Sequence, residues 1–117
     1  SVGNLLLHLA GNITQWILVP FASRVDERNR PAEFAATSGA SGTDLFAKLK
    51  TVVDEACTAV DAQPVDELLR ERVIQQRYRE TGLAAILHVM EHMSGHSGQI
   101  YAFTKQVTGK DLAFYDL

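Results

Sequence analysis

The stretch His88-Val89-Met90-Glu91-His92-Met93-Ser94-Gly95-His96-Ser97-Gly98-Gln99-Ile100 holds three of the chain's four histidines, spaced four residues apart. On a helix each residue turns about 100°, so a four-residue step advances one turn plus about 40° and rises roughly 6 Å along the axis. Neighbouring histidines in this stretch therefore face the same way. A divalent cation held at about 2.0 to 2.1 Å from each imidazole can bridge His88 and His92, or His92 and His96. His88 and His96, roughly 12 Å apart along the axis, can hardly share one. Closed or catalytic sites of this kind normally use at least three protein ligands. If the third is also histidine, only His8 remains to supply it.

His8 lies in a segment of matching pattern. Asn4, His8, Asn12 and Gln15 follow the same i, i+4, i+8, i+11 spacing as His88, His92, His96 and Gln99. Between them the apolar residues Leu5, Leu6, Leu9, Ile13, Trp16 and Ile17 recur at three- and four-residue intervals, the signature of an amphipathic helix, and Ser1 is placed to cap it. Two such polar lines facing each other would enclose a polar pocket in a helix bundle, with His8 opposite the histidine run.

Composition sets the frame. At 117 residues and 12.9 kDa the chain reads as one domain, 1–117, large enough to bury roughly two-thirds of its unfolded surface without staples. A net charge of -3, a pI near 5.7 and arginines interleaved with acids argue against a nucleic-acid partner. The single Cys57 excludes an intrachain disulfide and a cysteine-based zinc knuckle, which fits a reducing cytoplasm. Residues 1 to 23 contain no Asp, Glu, Lys or Arg. Asn4, His8, Asn12, Thr14 and Gln15 would nonetheless be costly in hydrocarbon, Pro20 would break a span, and no basic stretch precedes the apolar run. A buried helix is expected there, with no membrane partner.

From about Ala22 to Gly42 no sustained period appears, and the segment reads as a long loop with a short turn of its own at Ala32 to Ala36. Thr43 or Asp44 is expected to cap the next helix, whose apolar face is Leu45, Phe46, Leu49, Val52, Val53, Ala56, Cys57 and Val60. Pro64 starts a short helix through Leu69. Residues 70 to 80, dense in Arg and Glu, read as extended or helical. Thr81 caps the last long helix, running from about Gly82 to Val107 and ended by Gly109. Its core face is read as Leu83, Leu87, Met90, Ser94, Ser97, Tyr101 and Thr104, with Ile86, Ile100 and Phe103 alongside. Ser94, Gly95, Ser97 and Gly98 cost helix stability, about 1 kcal/mol for each Gly relative to Ala, so close approach of a neighbour is expected there. The tail Asp111 to Tyr115 is apolar enough to pack back on the bundle.

The pieces Asn4-Leu5-Leu6-Leu7-His8-Leu9-Ala10-Gly11-Asn12, Glu91-His92-Met93-Ser94-Gly95-His96-Ser97-Gly98-Gln99-Ile100 and Gly109-Lys110-Asp111-Leu112-Ala113-Phe114-Tyr115 together resemble the DinB/YfiT-like superfamily. The resemblance implies an all-α fold, a DinB-like up-down helical bundle of four helices. In that family a histidine of the second helix and an H-x-x-x-H pair of the last long helix hold a divalent metal, positions that match His8, His92 and His96. The chain begins where the family's second helix begins, so the family's first helix has no counterpart. The expectation is a fragment of a longer product; the alternatives are a bundle completed by another chain, or three long helices packed differently. An apolar groove left by three helices would favour a homodimer.

The remaining residues carry more ordinary expectations. His88 is read as a bystander, near the site or on the helix surface, and Glu91 as a salt-bridge former. Gln15 and Gln99 either orient ligand histidines or a bound water, or fill polar gaps in the core. Cys57 is expected to be buried and inert, Trp16, Phe46 and Phe103 to be core, and Arg70, Arg72, Arg77 and Arg79 to be a solvated face, the alternative being that some of these arginines bind a carboxylate-bearing substrate. Three neutral histidines would leave a divalent ion, zinc, nickel or iron, with its full charge and open positions for water or thiol. The first functional reading is thus a metal-dependent transferase that activates a low-molecular-weight thiol towards a small-molecule substrate, as the resemblance implies. A metal-dependent hydrolase and a noncatalytic metal-binding bundle stand beside it.

Overall fold

The computed structural model describes residues 1–113, and the tail positions Phe114 and Tyr115 lie outside the described residues. The chain opens with α1 (Val2–Ile13), which passes through a π-helical turn (Thr14–Leu18) into the short α2 (Val19–Ala22). Ser1 caps α1 reciprocally: its hydroxyl accepts from the Asn4 N–H while the Asn4 side chain accepts from the Ser1 backbone. The π turn has a local cause in Pro20. Lacking an N–H, Pro20 cannot serve the Trp16 carbonyl four residues back. The widened register, in which the Val19 N–H donates to the Thr14 carbonyl, absorbs that defect. Ser23, left-handed at φ 53°, then stops the helix.

The aperiodic segment contains α3 (Arg30–Ala35), capped by the Asn29 side chain. α4 (Gly42–Asp61) is capped by Ser41 rather than by Thr43 or Asp44; Asp44 is the returning partner of that capping box. After α5 (Val65–Leu69), residues 70 to 80 take the extended of the two expected forms rather than the helical one. They form a hairpin of β1 (Glu71–Ile74) and β2 (Tyr78–Thr81), with Val73 opposite Arg79. α6 (Gly82–Thr108) has Thr81 accepting from the Ala84 N–H at its start and left-handed Gly109 at its end, as its sequence foretold. The fold is therefore mainly helical, with one small sheet that an all-α reading omits.

α1 packs against both α4 and α6. Leu6, Leu9, Ala10, Ile13, Ile17 and Leu18 meet Leu49, Val52 and Ala56, and Ile86, Val89, Met93 and Ile100 of α6 close the cluster. A second cluster joins Trp16 to Ile74 and Ala85. By length and composition Val2–Ala22 could cross a membrane, yet 56% of its apolar stretch is buried inside the protein.

Several expectations about facing are corrected. The α6 side read as core is the outer one: Leu83, Leu87, Met90 and Tyr101 are 46%, 52%, 61% and 46% exposed. α6 is apolar on more than one side, so periodicity permits two rotations; Ile86 and Ile100, expected beside the core face, do pack, and they do so with Val89 and Met93. Gly95 and Gly98 have no neighbour among the described residues within reach of an added Cβ, so the close approach expected there is not made by any of them. Phe46, Phe103 and Cys57 are exposed rather than core. α4 rests mainly on α1, which covers only the narrow strip of Leu49, Val52 and Ala56. Arg72 also departs from the solvated face. It donates to the Pro20 carbonyl at 2.8 Å, pairs with Glu67 and lies 4.6 Å over the Phe21 ring, strapping the hairpin to α2.

The core assignment makes a contrast. Leu9, 1% exposed, should cost about 2 to 5 kcal/mol on replacement by alanine. Val107→Ala, at a residue 85% exposed, should stay within about 0.5 kcal/mol. Urea unfolding of both variants measures this, and equal losses would contradict the packing described.

Candidate metal centre

α1 supplies His8 and α6 supplies His92 and His96, the three residues that spacing and resemblance nominated. His8 is buried, and the other two are half-buried. One ligand nitrogen from each lies within 4.8 Å of the other two, and the Nε2 atoms of His8 and His92 stand 2.9 Å apart. An ion bound tetrahedrally at about 2.0 to 2.1 Å would hold its ligand nitrogens about 3.3 Å apart, so small side-chain adjustments close this group on one cation. These three histidines could hold a metal ion. His88 is not among them. Its ring stacks on Trp16 at 3.8 Å, which leaves His92–His96 as the α6 pair beside His8.

The rear nitrogens fix the tautomers. Nδ1 of His8 lies 3.0 Å from Glu33 Oε2. That carboxylate also accepts from Arg28 Nε at 2.8 Å and Nη2 at 3.0 Å. Because the guanidinium can only donate, the Glu33 oxygen is the natural acceptor for His8 Nδ1–H, and the lone pair of His8 is left on Nε2, towards His92. The 3.1 Å approach of Arg28 Nη2 to the same Nδ1 is then side-by-side crowding around one carboxylate. On α6, His96 Nδ1 lies 2.7 Å from Gln99 Oε1, an acceptor, which again leaves Nε2 bare. Carboxylate or amide partners behind metal-binding imidazoles are the usual means of aiming them.

Gln99 thus takes the orienting role. Gln15 stands one step further back, accepting from Arg28 Nη1 at 2.9 Å and donating to Asp26 at 2.8 Å. Glu91 is exposed and forms no salt bridge among the described residues, so the ion pair expected of it is not made.

Glu33 and Arg28 were not foreseen, since they lie in the segment without a period. Asn4 pins that segment by donating to the carbonyls of Glu33 and Ala36, each at 2.8 Å. The uncharged line of α1 therefore serves two purposes. Asn4 and Gln15 anchor the passing chain, and His8 faces α6. Gly11 lets the chain come close: a Cβ there would collide with Glu33 Oε1 and meet Arg28 Nε at 2.9 Å. A long uncovered segment with acids beside a histidine that needs an orienting partner was the available signal.

Electrostatics favour the neutral imidazoles that ligation requires. Burial pushes His92 down to about 4, helped by the neighbouring His96, His8 and His88. Burial also lowers His8, against the opposing hydrogen bond of Glu33, and lowers His88, against Glu91 and Glu80. A pocket of about 600 Å³ opens beside His8 and His92, lined among others by Asn12, Trp16, Tyr78 and His88.

Two outcomes follow. Glu33→Gln should weaken zinc binding about 10- to 100-fold in chelator competition, and unchanged affinity would contradict the orienting role. In metal-free protein, His92 is held below its unfolded value of 6.5, so its contribution to stability is intact above that pH and is lost as pH falls towards about 4. The melting temperature should therefore drop more steeply over that range in the wild type than in His92→Gln; parallel curves would contradict it.

A scan of protein-family models, a search of curated proteins and a search of solved structures each found no match to this chain.

Proposed function

We propose that the protein is a DinB-like metal-dependent transferase that activates a low-molecular-weight thiol for attack on a small electrophilic substrate. The observation that carries this reading is the convergence of three imidazole ligands, two with their rear nitrogens held, beside a pocket large enough for a small molecule. A divalent ion bound by three neutral imidazoles keeps its charge and open positions, and so lowers the pKa of a coordinated thiol or water. The protein's own contribution is positional. Glu33 and Gln99 aim two ligands, Arg28 balances the Glu33 charge, and Trp16 with His88 walls one side of the pocket against water.

The same centre would serve a hydrolase if water rather than thiol were the nucleophile, and a purely structural ion would do neither. The exposed stripe Leu83, Leu87 and Met90 on α6 supports pairing of two copies of the chain as a homodimer, and the single Cys57 fits a cytoplasmic one.

Zinc-, nickel- and iron-loaded protein should consume an electrophile only when a thiol is added, and His92→Ala should lose at least about 100-fold of that activity together with its metal. Turnover of esters or amides without thiol would replace the transferase with a hydrolase. A metal-dependent rise in melting temperature with no turnover of either kind would leave a structural site.

A further inference from the structure

The pocket beside His8 and His92 holds polar groups that the fold leaves unused. Asn12 is 4% exposed, one helical turn beyond His8, and its Oδ1 is buried without a hydrogen-bond partner among the described residues. A buried acceptor left unsatisfied is costly, on the order of 1–3 kcal/mol, and such groups commonly mark a ligand contact. On the same pocket Arg30 forms no ion pair among the described residues; its guanidinium only lies 5.4 Å over the Phe34 ring. Glu80, half-buried in the pocket wall, likewise lacks a cationic partner. Arg28 also lines the pocket, but Glu33 and Gln15 occupy it. The stacked Trp16 and Tyr78 rings, 5.8 Å apart, complete one apolar wall of the pocket, with His88 stacked on Trp16 at 3.8 Å and Arg77 lying 5.5 Å over Tyr78.

One cation and one anion without an ion pair among the described residues, and one buried neutral acceptor, are the complement of a single kind of small molecule. We propose that this pocket recognises a zwitterion of the α-amino-acid type, its carboxylate on Arg30 and its ammonium shared between Glu80 and Asn12 Oδ1. The ligand's side chain then points towards the three histidines, so the thiol of the proposed reaction is an amino-acid thiol. This rests on the transferase reading only for the word thiol; recognition of the zwitterion stands on the pocket itself.

Calorimetry on zinc-loaded protein tests it with three hydroxyl probes. L-serine carries both charges, ethanolamine lacks the carboxylate, and 3-hydroxypropionate lacks the ammonium. L-serine should bind about tenfold or more tighter than either. Arg30→Gln should bring L-serine down to the level of ethanolamine while leaving ethanolamine unchanged. Asn12→Leu should weaken L-serine and ethanolamine and spare 3-hydroxypropionate. Equal binding of the three probes to the wild type, or a preference for L-serine that survives Arg30→Gln, overturns the proposal. Thiol turnover separates it from the reading above. If L-serine is preferred but no thiol is consumed, the zwitterion pocket stands and the transferase falls. If cysteamine is consumed as efficiently as cysteine, the transferase stands and the zwitterion pocket falls.

Discussion

Only 10% of the Glu33 side chain meets solvent, and its charge is tolerated there because Arg28 grips it through two nitrogens while His8 donates to one of the same oxygens. Removing either cationic or imidazole partner would leave a buried charge uncompensated, a far larger penalty than the pair is worth on its own. The trio therefore holds together or fails together. It fixes which nitrogen of His8 carries the proton, which way the ring turns, and where residues 26 to 36 run across α1. Gly11 is part of the same constraint, because any side chain at that position would occupy the space of the carboxylate.

α1 is consequently asked to do three things at once. Its apolar side, Leu6, Leu9 and Ile13, packs on α4; Asn4 ties down the carbonyls that end α3; and His8 reaches α6. The π turn falls where the helix passes from His8 and Asn12 to Gln15 and Trp16, both of which face the pocket. π turns are often found at functional sites, where they redirect side chains that a regular helix would space evenly. Here the absent N–H of Pro20 supplies the local reason and the pocket the use.

What could be read in advance was local. The four-residue spacing of His92 and His96, the cap at Thr81 and the stop at Gly109 are properties of one helix, and they reappear in the structure. The rotation of α6 was not legible, because Leu83, Leu87 and Met90 form as convincing an apolar stripe as Ile86, Val89 and Met93. Only contact with α1 chooses between them. Residues 70 to 80 were legible as extended or helical, but their pairing into a hairpin was not, for a different reason. Its turn places Gln75 and Gln76 at φ 55°, with the Arg77 N–H donating to the Ile74 carbonyl, a geometry usually announced by Asn-Gly or Asp-Gly. Glu33 and Arg28 gain their meaning only from tertiary packing, so no period could mark them.

The claim that one cation is shared between α1 and α6 is tested most directly by anomalous diffraction from crystals of the zinc-loaded protein. A single peak about 2.1 Å from an imidazole nitrogen of each of His8, His92 and His96 is the expected result. A peak bridging His88 and His92 instead, or no peak among these histidines, would contradict the account.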